Sequence, residues 1–194
     1  VYDPPGREVR NYDTGLRNCS GLAMQPGTDN LWCVVNERDH LGPNAVPDYM
    51  ARVQEGAFYG WPWYTIGQRE DPALAGARPD LRGEVRVPEV LLQAHSSALS
   101  LAFYHHDAFP VDYRGDAFVA LHGSHSRPQM TGYKVVRVRM KDGTPTGEYE
   151  DFMTGFVLDN DRVWGRPASV AVTRDGALLV ADDANGTICL VTRK

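Results

Sequence analysis

Short apolar runs recur along the chain in pairs, each pair divided by a turn and closed by a polar tip. Gly21-Leu22-Ala23-Met24 leads through Pro26-Gly27 into Leu31-Trp32-Cys33-Val34, then Asn36-Glu37-Arg38-Asp39. Ser100-Leu101-Ala102-Phe103 leads through Pro110 into Gly115-Asp116-Ala117-Phe118-Val119-Ala120, then His122. Ser169-Val170-Ala171-Val172 leads through Asp175-Gly176 into Leu178-Leu179-Val180, then Asp182-Asp183. A small residue, a strand, a turn, a second strand and a polar tip, repeated over several tens of residues, is how β-propeller blades read. The predicted class is all-β: a propeller of four-stranded blades, about three of them here, half of a six-bladed ring.

The same pattern extends each unit outward. Residues 133–139 alternate apolar and basic as a half-buried third strand should, and a fourth follows over 149–156. Residues 187–191 form the third strand of the last unit, which has no fourth of its own. The units fall at about 19–95, 96–157 and 165–194 within a single propeller domain spanning 1–194, with residues 7–14 placed as a preceding outer strand. About three blades cannot close a ring whose usual range is roughly four to eight. Two readings follow: the C-terminal half of a six-bladed chain, or a homodimer in which each N-terminal strand completes the other copy's last blade. The long segment 41–89 carries Phe58-Tyr59-Gly60-Trp61-Pro62-Trp63-Tyr64 and is too aromatic for a linker. It is either a site wall, a dimer surface or a plug packed on its blade.

Composition narrows the partners. With 194 residues and 42% apolar, the chain has enough length for one sizeable core. A formal charge of -5 with scattered Lys and Arg provides no basic field for phosphate backbones, which argues against nucleic acid. No apolar run is long enough to span a bilayer, and the missing initiator Met implies a processed or excerpted chain. Three cysteines form no framework. Folding strands 20–26 and 31–37 about a turn at 27–30 puts Cys33 opposite Met24 and Cys19 about 15 Å further along the ladder. That separation predicts free thiols and leaves the redox compartment open.

A set of motifs appears in order: Gly15-Leu16-Arg17-Asn18, Gly21-Leu22-Ala23, Val35-Asn36-Glu37-Arg38-Asp39, Phe58-Tyr59-Gly60-Trp61-Pro62, His95-Ser96, Leu101-Ala102-Phe103-Tyr104, Leu121-His122-Gly123-Ser124, Gly132-Tyr133-Lys134-Val135-Val136 and Gly165-Arg166-Pro167. Together they resemble the C-terminal half of the soluble quinoprotein glucose/sorbosone dehydrogenases, six-bladed propellers that use pyrroloquinoline quinone and calcium. The resemblance implies hydride transfer from an aldose or aldehyde carbon to the quinone, and a periplasmic or secreted location. The quinone is a tricarboxylate, which guanidinium groups bind bidentately while staying charged. By resemblance Arg17 and Asn18 face the cofactor, Arg166 clamps a carboxylate, and Arg127 is a further basic contact. Calcium, a hard Lewis acid, would take main-chain carbonyls at Asp39 and His40.

Plainer readings stand beside these. Arg17 and Arg166 each precede an inner strand and also suit salt-bridged staples between blades, while Glu37-Arg38-Asp39 also suits an internal ion pair. His95 and His122 read as ordinary hydrogen-bonded propeller histidines. His105-His106-Asp107 puts neighbouring side chains on opposite strand faces, unsuited to one metal ion. Asp159-Asn160-Asp161 lacks the glycine and distal glutamate of a calcium hand and reads as a turn. The family pattern is broken at Cys19, at Ser97-Ala98-Leu99-Ser100 and at His125-Ser126, and no residue here matches the family's general-base histidine. The competing function is a non-catalytic propeller that binds a protein or a glycan, with the aromatic side chains of residues 58–64 as the contact surface.

Overall fold

The computed structural model describes residues 10–124, 126–159 and 161–193. The strands are β1 (Asn18–Met24), β2 (Leu31–Asn36), β3 (Tyr49–Val53), β4 (Tyr64–Thr65), β5 (Arg69–Glu70), β6 (Val90–Leu91), β7 (Ala98–Phe103), β8 (Ala117–Leu121), β9 (Lys134–Lys141), β10 (Thr144–Met153), β11 (Val157–Asp159), β12 (Arg162–Val163), β13 (Pro167–Val172), β14 (Leu178–Asp182) and β15 (Thr187–Val191). They form antiparallel blades ordered β1-β2-β3-β6, β7-β8-β9-β10 and β13-β14-β15. The inner strand β7 touches both β1 and β13, so the three sheets succeed one another round an axis. The propeller architecture expected from the repeats is what the chain adopts; the described residues form three blades, of which the last has three strands. Of the outer strand expected over 7–14, residues 7–9 lie outside the described residues, and Thr14 forms a single parallel bridge to Phe58.

Strand alternation divides each blade into two faces, and neighbouring blades bury them against each other. One face of blade 1 (Trp32, Val34, Met50, Val90) packs on Leu101, Val119, Leu121, Val136 and Val138 of blade 2. The opposite face of blade 2 (Phe118, Ala120, Val135) packs on Val170, Leu178 and Val180 of blade 3, sealed at the outside by Tyr104 and Phe109. Phe118 lies 4.6 Å from Phe152 and Tyr104 stacks on Phe109 at 5.0 Å, ring separations at which aromatic pairs attract beyond their buried area.

Two expectations need correction. Cys19 and Cys33 form a disulfide, with Cα atoms 5.8 Å apart. The hairpin pairs Leu22, not Met24, with Cys33, and a bulge between Cys19 and Gly21 draws Cys19 opposite Val35. The two cysteines are therefore diagonal neighbours on one face, and only Cys189 is a free thiol. The second correction concerns β9, which buries both faces instead of one. Arg137 is 2% exposed, bonded to Asp116 at 2.5 Å and Glu150 at 2.9 Å, with the Asp112 carboxylate at 3.2 Å and the Tyr113 ring 3.7 Å beneath its guanidinium. A buried guanidinium is tolerable because these acceptors replace its water.

Segment 41–89 resolves into β3, the small β4-β5 hairpin and two short 3-10 turns, and β6 follows it directly. Its aromatic part is a plug on its own blade: Ala57 and Tyr59 cover Cys33, Val35, Tyr49, Ala51 and Val53, the face of blade 1 turned away from blade 2. The Asp142-Gly143 turn between β9 and β10 has both residues at positive φ (51° and 75°), as a tight hairpin requires.

Candidate functional site

The three inner strands start side by side. Ser20 Oγ donates to the Ala98 carbonyl at 2.9 Å, and Ser100 Oγ meets Ser169 Oγ at 3.3 Å, which puts the first residues of β1, β7 and β13 at one mouth. The residues just outside these strands form a connected arc. Arg17 Nη1 donates to the carbonyls of Asn36 (3.0 Å) and Glu37 (2.9 Å). Asn36 Nδ2 donates to Ser97 Oγ at 3.3 Å, and the His122 amide donates to the Ser97 carbonyl at 2.9 Å. His122 Nε2 lies 3.0 Å from the Asp183 carboxylate, which also accepts from Arg166 Nε at 3.0 Å. Asn18 pairs with Asn36 across β1 and β2 and is exposed. Arg17, Asn18 and Arg166 thus share one mouth, and His122, read from sequence as ordinary, stands between them.

Arg127 reaches the mouth by another route. Its Nη2 donates to Asn44 Oδ1 at 2.8 Å, so it holds the 37–48 loop of blade 1. Asp39 and His40 lie in that loop, which is pinned from the other side by His95. Nδ1 of His95 lies 3.0 Å from Asp39 Oδ1 and Nε2 lies 2.9 Å from the Gly42 carbonyl, with the ring 2% exposed. The hydrogen-bonded reading of His95 agrees with this geometry. Asp39 and His40 sit at a turn over residues 39–42, and among the described residues no three His, Cys, Asp or Glu side chains converge as a metal cluster.

Two buried carboxylates brace the mouth and behave oppositely. Burial pushes the Asp48 carboxyl up to about 6, although it accepts from the amides of Glu37 (2.8 Å) and Ser97 (2.6 Å) and from Ser96 Oγ (3.1 Å). At Asp182 burial also acts upward, but hydrogen bonds from the Arg166 amide (2.9 Å), Asn185 Nδ2 (2.6 Å) and the Ala184 amide (2.9 Å) hold the carboxyl below its usual value. Both were invisible as a pair in the sequence, where one ends a loop and the other a strand.

Glu37 and Arg38 form the internal ion pair that was one reading of their triple. Arg38 is 2% exposed and bonds Glu37 Oε2 (3.2 Å), Asp71 Oδ2 (2.6 Å) and the carbonyls of Pro62 and Tyr64. Its guanidinium lies 4.6 Å from the Trp61 ring, and that of Arg17 lies 5.7 Å from it. Arg17, His40, Trp61 and Leu74 line a cleft of about 490 Å³ beside the mouth. Asp107 pairs with Arg114, and the His106 ring lies 6.0 Å from the Tyr104 ring. Asp159 pairs with Arg162 at 2.6 Å across the β11-β12 turn.

The arc fits an anionic guest in its donor chemistry. Arg17 binds only carbonyls and Arg127 only an amide oxygen among the described residues, so neither charge is neutralised by a carboxylate. Arg166 keeps two terminal nitrogens beyond the Nε bonded to Asp183. The main-chain carbonyls of Asp39 and His40 are hard oxygen donors of the kind a calcium ion takes.

Comparison with known proteins places this arrangement. The chain is 28% identical over 177 residues to an uncharacterized protein of Borreliella burgdorferi, covering 90% of this chain and 46% of that protein. It is 33% identical over 110 residues to the aldose sugar dehydrogenase YliI of Escherichia coli, covering 54% and 27%. Its fold matches the calcium structure of the Trichoderma reesei carbohydrate-active enzyme of family AA12 with a TM-score of 0.74 at 22% identity, covering 90% and 51%. It matches the holo form of the pyranose dehydrogenase PQQ domain from Coprinopsis cinerea at 0.76 and 20%, covering 93% and 55%. The chain spans about half the length of these relatives. The TrAA12-like family model matches residues 80–194, more than half of the chain, which therefore belongs to the TrAA12-like family.

Proposed function

We propose that this chain provides the cofactor-facing mouth of a quinone-dependent sugar dehydrogenase, acting on an aldose or aldehyde once its ring is complete. The observation that carries the reading is the arc from Arg17 through Asn36, Ser97, His122 and Asp183 to Arg166, which collects guanidinium groups at one end of the inner strands. Arg17, Asn18, Arg127, Arg166 and His122 would hold pyrroloquinoline quinone, and the Asp39 and His40 carbonyls would hold calcium. Hydride acceptance from the sugar carbon is the chemistry the quinone supplies when bound. The arginines bind and orient carboxylates, Asp183 fixes the facing sides of Arg166 and His122, and His95 keeps the calcium loop in register with blade 2. A periplasmic or secreted location agrees with the Cys19–Cys33 disulfide, since such bonds persist in oxidising compartments.

The ring is completed either by further blades or by a second copy of this chain. Native mass spectrometry with quinone and calcium added reads stoichiometry and assembly together. The expected result is one quinone per complete ring, with dye reduction by aldoses. Arg17→Ala and Arg166→Ala should each weaken quinone binding at least about tenfold, the worth of a charge-assisted hydrogen bond. A complete ring that neither binds quinone nor is affected by these changes overturns the reading. One observation favours a non-catalytic propeller instead: Asp183 already neutralises Arg166, as a staple between blade segments would. Under that reading Arg166→Ala lowers stability and leaves quinone binding unchanged.

A further inference from the structure

A second cleft lies on the far side of Trp61 from Arg17. Its floor is backbone: Phe58 bridges Thr14 on one side and Val85 on the other, and the amides of Tyr59, Trp61 and Arg86 donate to Thr14 (3.0 Å), Gly15 (2.8 Å) and Phe58 (2.8 Å). Side chains of Phe58, Trp61, Trp63, Arg78, Glu84 and Arg86 line about 550 Å³, within the roughly 300–1,000 Å³ of small-molecule sites. Trp61 and Pro62 also line the cleft that contains Arg17 and His40, so these two adjacent residues form the wall between the clefts.

We propose that this cleft binds a short stretch of glycan. The half-buried indoles of Trp61 and Trp63, backed by buried Phe58, suit the CH face of a pyranose ring, which is apolar although the ring's edge is not. Hydroxyls at that edge both donate and accept, matching a rim where Arg78 and Arg86 only donate and Glu84 only accepts. A purely apolar guest would strip water from all three charges and return no hydrogen bond, and a polyanion would meet Glu84. The wall is held in advance. Arg78 lies 5.0 Å from the Trp63 ring centroid, is bonded to Asp80 through Nε (2.9 Å) and Nη2 (2.7 Å), and accepts the Tyr64 hydroxyl at its carbonyl (2.8 Å). Trp63 in turn lies 6.2 Å from Phe58. Rigid aromatic and guanidinium groups lose little freedom on binding, which favours affinity.

The site does not depend on the quinone, and its test is arranged accordingly. Reduced gluco-, xylo-, manno- and galacto-oligosaccharides have no free hemiacetal carbon to oxidise, so their binding is read without turnover, and the cleft variants tell cleft from mouth. Titration followed by indole fluorescence and calorimetry should give saturable binding of at least one series. Trp63→Ala should weaken it at least about tenfold and Arg86→Ala about fivefold, with Ile188→Ala, on the exposed face of blade 3, within about twofold of the parent. Trp63 also packs on Phe58, so the exposed Arg86→Ala change carries the test if Trp63→Ala unfolds the segment. Absence of binding across all four series, binding unaffected by Arg86→Ala, or capture of a proline-rich peptide in place of the sugars overturns the proposal.

Discussion

The two end blades meet solvent in different ways. Blade 1 turns Cys33, Val35, Tyr49, Ala51 and Val53 away from its neighbour, and the chain folds back over them with Ala57 and Tyr59, leaving Leu22 and Met24 of the inner strand and Leu91 of the outer one exposed. Blade 3 turns Ala171, Leu179, Ala181, Ile188 and Leu190 away from its neighbour and nothing among the described residues covers them: Ile188 is 69% exposed and Leu190 63%. The strands are alike in composition. Burial at the ends of the array therefore comes from what the connecting segment does, not from the strands themselves.

A buried charge separates the two faces most sharply. Ala51→Asp, beneath the cap, should cost about 5 kcal/mol and abolish cooperative folding, while Leu190→Asp should change stability by less than about 0.5 kcal/mol. Urea unfolding of both variants measures the contrast. A large loss from Leu190→Asp would mean that the blade 3 face is covered in solution, and its dependence on protein concentration would identify a second copy as the cover. Removing the cap's anchor comes next: Tyr59→Ala deletes a buried ring and its hydrogen bond to the Arg52 carbonyl, with a loss of about 3–4 kcal/mol by the same assay.

The disulfide is a third difference, since it ties β1 to β2 in the capped blade only. Closing a loop of 14 residues is worth about 3 kcal/mol, so a reductant should lower the melting temperature. Cys189→Ser, removing the free thiol of blade 3, should not. The smallest effect is expected from pH. Asp48 titrates near 6 when folded and near 4 when unfolded, so between these values the folded state holds a proton the unfolded chain has lost. Stability should fall as pH rises from 4 to 6, by on the order of 2 kcal/mol, and Asp48→Asn should flatten that slope. Asp182 has the opposite sign, its contribution being lost as pH falls through its depressed pKa, so Asp182→Asn should remove an acid-side loss instead.

Much of this was legible locally. The inner hairpins of all three units, the β15 strand and the Asp142-Gly143 turn followed from alternation and turn chemistry, which act over a few residues. β3 went unread because Tyr49-Met50-Ala51-Arg52-Val53 is bounded by a loop with no repeat partner to flag it. Cys19–Cys33 was misjudged because a two-residue error in register and an unseen bulge change which residues are diagonal neighbours. At the mouth, Arg17 and Arg166 are marked by equivalent positions before inner strands, and Asn18 by the family resemblance alone. His122, Asp48, Asp182 and Asp183 are not, because each gains its role from a partner at least one loop away.

The amino-acid sequence by itself determined the blade, since strand period and turn chemistry are properties of adjacent residues. Only the tertiary structure decided which faces are buried, which cysteines meet, and which charges share the mouth. Those outcomes depend on blades and loops approaching from distant parts of the chain, and that approach sets the desolvation and pairing on which each one rests.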